Sequence, residues 1–261
     1  MRFGVQLMVL CASLGLGSRA LAQDRFEIQV YDAEIAPPGG VGVELHYNTV
    51  ADGTSQPSAD GELATNHLTH LTLEPHVGIA SWCELGGYLQ AAVLPDGSLR
   101  YAGVKLRWKM RIPHRFAGGL IGLALNLELS IVPAAFEANV YGSELRPVID
   151  VRWKRLYFAL NPIIGFDLGG AQAGRPQIQP AFKFSVTVNS ALALGIEYYA
   201  AFGPVTAVTP AAEQVHRLFA VLDVFHRVSQ HLDFDLNAGV GYNLTGSGDR
   251  WVAKAIFGLG H

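Results

Sequence analysis

Four side chains stand where a metal ion could be held. His46, His70, Glu74 and His76 offer imidazole and carboxylate donors, the set that binds zinc and similar cations. On an extended strand each two-residue step covers about 6–7 Å. His70, Glu74 and His76 therefore share one face but do not converge on one ion unless a neighbouring strand helps. Hydrogen bonding within a polar wall is the reading taken, with no metal and no cofactor expected. His216, His226 and Asp223 are the other chemical candidates, as parts of a hydrolytic site. No serine lies two residues from either histidine, and no G-x-S-x-G occurs. No catalytic residue is assigned, and the chain is read as not an enzyme. Phosphate loops and dinucleotide fingerprints are absent, and a net charge of −3 speaks against a nucleic-acid partner.

Charge comes in alternating blocks. Lys105, Arg107 and Lys109 occupy every second position of one stretch, and Asp233 and Asp235 of another. Glu144, Arg146, Asp150 and Arg152 share a third, with Glu44, Glu84 and Glu128 elsewhere. Together with the His/Glu group these are the candidate lumen-lining residues. They read either as an ion-pair network bracing a wall or as a selectivity lining for a polar solute.

The elements carrying them alternate with period two. From Leu232 to Leu244 the even positions are all apolar or aromatic, and the odd ones are Asp, Asn or Gly. Successive strand side chains point to opposite faces, so one face is apolar and the other polar. The pattern recurs over about twelve stretches: 40–50, 66–79, 82–94, 99–112, 115–132, 142–154, 156–168, 175–189, 191–202, 213–228, 230–244 and 249–260. Most exceed the five or six residues usual in soluble sheets and suit a tilted membrane strand. Connections alternate short and long. Short ones fall near 80–81, 113–114, 154–155, 189–190 and 229–230. Long ones fall at 51–65, 95–98, 133–141, 169–174, 203–212 and 245–248. That asymmetry predicts an all-β, transmembrane, antiparallel up-and-down β-barrel of about 12 strands. The composition of 50% hydrophobic and 16% charged residues is then the average of two opposite faces.

Residues 1–22 read as a cleaved signal peptide, with Arg2, an apolar run and Ala20-Leu21-Ala22. Cleavage leaves Cys83 as the mature chain's single cysteine and excludes a thiol metal site or an intrachain disulfide. Residues 23–39 lie outside the repeat and are read as a periplasmic N-terminal segment, the other reading being a plug folded into the lumen. Residues 40–261 are the barrel.

Phe26-Glu27-Ile28-Gln29-Val30-Tyr31-Asp32, Pro37-Pro38-Gly39 and Glu44-Leu45-His46-Tyr47-Asn48 resemble a group of uncharacterised Gram-negative outer-membrane barrel proteins. Leu73-Glu74-Pro75-His76-Val77-Gly78, Glu84-Leu85-Gly86-Gly87-Tyr88-Leu89-Gln90 and Tyr101-Ala102-Gly103-Val104-Lys105-Leu106-Arg107 extend that resemblance. More distantly the chain is similar to transporter-like barrels associated with phenol meta-pathway degradation. The resemblance implies fold and an outer-membrane location, but no reaction. The function expected is a narrow, charge-lined, porin-like channel or transporter for a small solute. The alternatives are a structural or adhesive barrel with a closed lumen and, third, an outer-membrane hydrolase. Expected partners are the lipid bilayer, lipopolysaccharide, the barrel assembly machinery and a small-molecule solute.

Overall fold

A computed structural model describes residues 24–57, 61–169, 173–230 and 232–260. The signal peptide read at 1–22 lies outside the described residues. Twelve strands form the wall. They are β1 (Val41–Asp52), β2 (Thr69–Ala80), β3 (Cys83–Val93), β4 (Leu99–Arg111), β5 (Ile121–Ile131) and β6 (Tyr141–Trp153). Next come β7 (Leu156–Asn161 continued by Ile164–Asp167), β8 (Gln177–Ile178 continued by Ala181–Asn189) and β9 (Leu192–Ala201 continued by Gly203–Pro204). The last three are β10 (Val215–Ser229), β11 (Leu232–Asn243) and β12 (Trp251–Gly260). Each pairs antiparallel with its sequence neighbours, and β1 pairs with β12 from Gly42↔Gly260 to Asp52↔Trp251, which closes the barrel. A closed ladder leaves no strand edge unpaired in lipid.

Burial is inverted relative to a soluble protein. Leu89, Leu194, Val240 and Leu259 are exposed on the outside, while Glu74, Gln90, Asn126 and Asp150 are fully buried inside. Exposed aromatics mark both rims: Trp82 and Trp153 beside short turns, Tyr101, Tyr141 and Trp251 at the other end. Such girdles suit the bilayer interfaces.

Three local departures have simple causes. The sequence places a short turn near 113–114 and starts the next strand at 115, but β5 begins at Ile121. Ala117, Gly118 and Gly119 have positive φ in succession, and a run of three breaks the extended conformation. β7 and β8 break at Pro162 and Pro180, where the missing N–H interrupts the ladder. Ala102 alternates with Leu106 on paper yet is fully buried inside, because the register shifts at Gly103, whose φ is 125°.

The largest correction concerns residues 23–39. Residues 24–36 lie inside the barrel and not in front of it. Arg25 pairs with Asp249 at the long-connection end, Asn48 donates to the Arg25 carbonyl, and Lys254 donates to the Ile28 carbonyl at 2.8 Å. Further down, the Tyr31 and Ala33 amides donate to Asn161 and Asp150, each at 2.7 Å, and the Ala36 amide donates to Glu84 at 2.6 Å. The physical reason is an apolar alternation of its own. Phe26 packs on Leu68, Ala92, Ala102 and Phe136, and Ile28 and Val30 on Tyr199, Phe219, Val221 and Val252. The chain then turns at Pro37–Gly40 and enters β1.

Gly78 makes that turn possible. The Gly39 amide donates to the Gly78 carbonyl at 2.8 Å, and the Gly78 amide to Gly40 at 2.9 Å. A Cβ at residue 78 would stand 2.1 Å from the Pro37 carbonyl oxygen. Gly78→Val should therefore lower stability by about 1–3 kcal/mol, read as an earlier loss of the compact band on heating. An unchanged transition would show that the turn does not depend on this contact.

Candidate functional site: the filled lumen

Three levels of charge hold the N-terminal segment to the wall. At the long-connection end, Lys105 on β4 pairs with Asp24, and with Glu27 and Glu128, each at 3.4 Å. Here a cavity of about 900 Å³ opens. Among the described residues its carboxylates are Asp24, Glu62, Glu128, Glu137, Glu144, Asp167 and Glu213, and its basic side chains are Arg25 and Lys105. Glu137, half-buried on the 132–140 connection, has its carboxyl pushed up to about 8 by burial and the neighbouring Asp24 charge.

The middle level is tight. The Tyr31 hydroxyl meets that of Tyr88 at 2.7 Å. Arg146, Lys109 and Arg107 face the Tyr31 ring at 4.7, 5.0 and 5.4 Å, within the range of cation–π attraction. Arg146 pairs with Glu27 at 3.2 Å and Glu144 at 2.6 Å; Arg107 reaches Glu74 and Glu84, both at 2.8 Å. On the opposite wall Glu197 collects Lys254, Lys183 at 3.3 Å and the Tyr199 hydroxyl at 2.6 Å.

At the short-turn end Glu34 accepts from Arg111 at 2.7 Å and Arg115 at 3.0 Å, with Arg152 at 3.3 Å. Asp32 pairs with Arg152 at 3.0 Å and Lys109 at 3.6 Å, and Asp150 pairs with Arg115. A second cavity of about 630 Å³ lies here, lined by Glu44, His76, Asp235 and others.

The sequence-derived residues therefore fall into distinct settings. Lys105, Arg107, Lys109, Glu128, Glu144, Arg146 and Asp150 join the pairs to the N-terminal segment and to one another. His46 sits between Glu44 and Glu74 at 3.4 and 3.0 Å. His70 stands apart from them, edge-on against Phe26 with ring centroids 4.7 Å apart. Arg152 is partly open, and Asp233 forms an exposed pair with Arg227 at 3.1 Å. The sequence reading missed Arg217, 1% exposed beside Asp249, and every charge of the N-terminal segment. The signal for Arg217 was its parity with Asp223, masked by Phe219 and Val221 on the same face. His216 faces outward: its Nδ1 contacts the Tyr198 hydroxyl at 2.5 Å and its Nε2 Gln214 at 2.9 Å. Both ring nitrogens are thus engaged, with no serine partner among the described residues.

With this geometry, solved structures can be compared. The chain is similar to the COG4313 outer membrane channel from Pseudomonas putida F1, with a TM-score of 0.55 and 10% identity over 90% of this chain and 100% of that one. It is also similar to KdgM porin, at a TM-score of 0.51 and 10% identity over 84% and 98%. NanC porin gives a TM-score of 0.51 and 8% identity, again over 84% and 98%. The shared fold is the outer-membrane barrel. At these identities the likeness is one of architecture, and two of the neighbours are porins and the third a channel. No family model and no curated protein matches the sequence.

Proposed function

We propose that the chain is an outer-membrane channel for small polar solutes, narrowed by its own N-terminal segment. The observation that carries this reading is the pair of cavities with charged side chains in their linings, about 900 and 630 Å³, at opposite ends of one closed wall. The structural neighbours support it by fold, and the apolar exterior suits a bilayer with lipopolysaccharide outside. Insertion would use the barrel assembly machinery after export through a signal peptide at 1–22. The distant resemblance to barrels of phenol meta-pathway degradation bears on the solute class.

The larger cavity is acidic, and a vestibule of one sign concentrates counter-ions. Planar-bilayer recordings at low salt should show small steps with a preference for cations. The preference should strengthen as pH rises through about 8, because Glu137 is neutral below its raised pKa and charged above it. Glu137→Gln should flatten that dependence. A stable barrel that passes no current would refute the channel reading; anion preference would refute the role of the acidic vestibule.

A further inference from the structure

We propose that Glu44, His46 and Glu74 form a binding site for a borderline divalent cation of the zinc type, set in the wall of the smaller cavity. β1 and β2 pair so that Glu44 lies directly opposite Glu74, and His46 follows two residues along the same inward face. His46 Nε2 is 3.0 Å from Glu74 Oε2 and 3.4 Å from Glu44 Oε2, and one donor atom from each residue falls within 4.8 Å of the others. Zinc holds nitrogen and oxygen ligands at about 2.0–2.2 Å in a tetrahedron, which sets neighbouring ligands roughly 3.3–3.6 Å apart. The imidazole–carboxylate spacings are already close to that.

Electrostatics point the same way. Like charges directly across a strand pair repel, so the Glu44–Glu74 pair needs positive charge between its carboxylates. Arg107 is committed to the other oxygen of Glu74, at 2.8 Å, and to Glu84. Oε2 of Glu74 is thereby left toward the imidazole, and Oε2 of Glu44 lies 3.4 Å from the same ring nitrogen. His46 is fully buried, and its Nε2–H, 3.0 Å from Glu74 Oε2, fills the space between the carboxylates; an ion would displace that proton and take its place. Glu44 is 24% exposed and lines the cavity, which gives an ion access. Gln29 Nε2 donates to Glu44 Oε2 at 3.1 Å and orients the carboxylate. An imidazole with two carboxylates favours zinc-like ions over magnesium, which prefers an all-oxygen octahedron. The site stands whether or not the barrel conducts.

The test is calorimetric titration of the refolded full-length barrel with zinc chloride in metal-free buffer. One zinc ion per barrel is expected, uncontested by equal magnesium. Glu44→Gln and His46→Asn should each weaken binding at least about tenfold, while joint replacement of His67, His114 and His226 by Gln leaves it intact. X-ray absorption of the zinc-loaded wild-type barrel should show imidazole together with oxygen ligands, which decides the matter even where a His46 variant fails to fold. Absence of stoichiometric binding, binding indifferent to Glu44→Gln, or a spectrum without imidazole would each overturn the site.

Discussion

A refolded barrel lacking residues 24–36 should carry a single-channel conductance about threefold or more above that of the complete protein. The wall does not depend on this segment for closure: every strand pairs with a strand, and β12 returns to β1. What the segment fills is the lumen. Its Tyr31 ring and hydroxyl occupy the space between Tyr88 and the guanidinium of Arg146, so its removal joins the two cavities. A twelve-stranded barrel lies between small filled barrels and sixteen-stranded aqueous porins, and the segment places this one nearer the filled end. The loss has a thermodynamic side as well. Phe26, Ile28 and Tyr31 are buried, each worth about 1.5–3 kcal/mol. Glu27 and Glu34 leave Arg146, Arg111 and Arg115 short of a carboxylate. The shortened barrel should unfold at lower temperature while conducting better, and its cation preference should fall, since Asp24, Glu27, Asp32 and Glu34 go with one compensating Arg25. Equal conductance in the two proteins would show that the resistance lies in the wall or the outer connections.

The wall was legible because a two-sided strand writes both its environments into the chain. The phase from Leu232 to Leu244 gave both faces of β11, and that of Lys105, Arg107 and Lys109 gave the inner face of β4. The N-terminal segment was harder to read for a physical reason. It forms no ladder with a neighbour; it binds through amides donating to Asn161 and Asp150 and through side-chain pairs. Its trace in the sequence is indirect. Ala92, Ala102, Phe219 and Val252 are apolar residues on an otherwise polar face, and each is a socket for Phe26, Ile28 or Val30. A single bulge at Gly103 was enough to hide Ala102 among the lipid-facing positions. The grouping of Glu44 with His46 and Glu74 was unreadable along one strand, because it is made by the register Glu44↔Glu74. The sequence reading named the missing condition, a neighbouring strand's help, but could not supply the alignment.

Glu197→Ala should destabilise the barrel by about 3–5 kcal/mol, the range for stranding a buried charge. Glu197 on β9 and Lys254 on β12 are 2% and 0% exposed at their side chains, and around them lie Tyr199, Phe219 and the Ile28 carbonyl. Both side chains are closed to solvent, which leaves little to screen the stranded charge. Lys183 would retain Asp223 at 2.6 Å; Lys254 would keep only neutral contacts with the Ile28 carbonyl and the Tyr199 hydroxyl. Lys254→Met alone should cost less, because Glu197 keeps Lys183, the Tyr199 hydroxyl and Asn237. Adding Lys254→Met to Glu197→Ala removes the stranded charge and should recover part of the loss, giving a coupling of about 1–3 kcal/mol. The Arg227–Asp233 pair is the internal control. Its side chains are 77% and 50% exposed, so breaking it should change stability by no more than about 1 kcal/mol. Urea unfolding of the four cycle members and of a variant lacking the Arg227–Asp233 pair, in lipid or detergent, reads all of these values. Additive losses at Glu197 and Lys254 would mean that water screens this pair and that the two charges are not coupled.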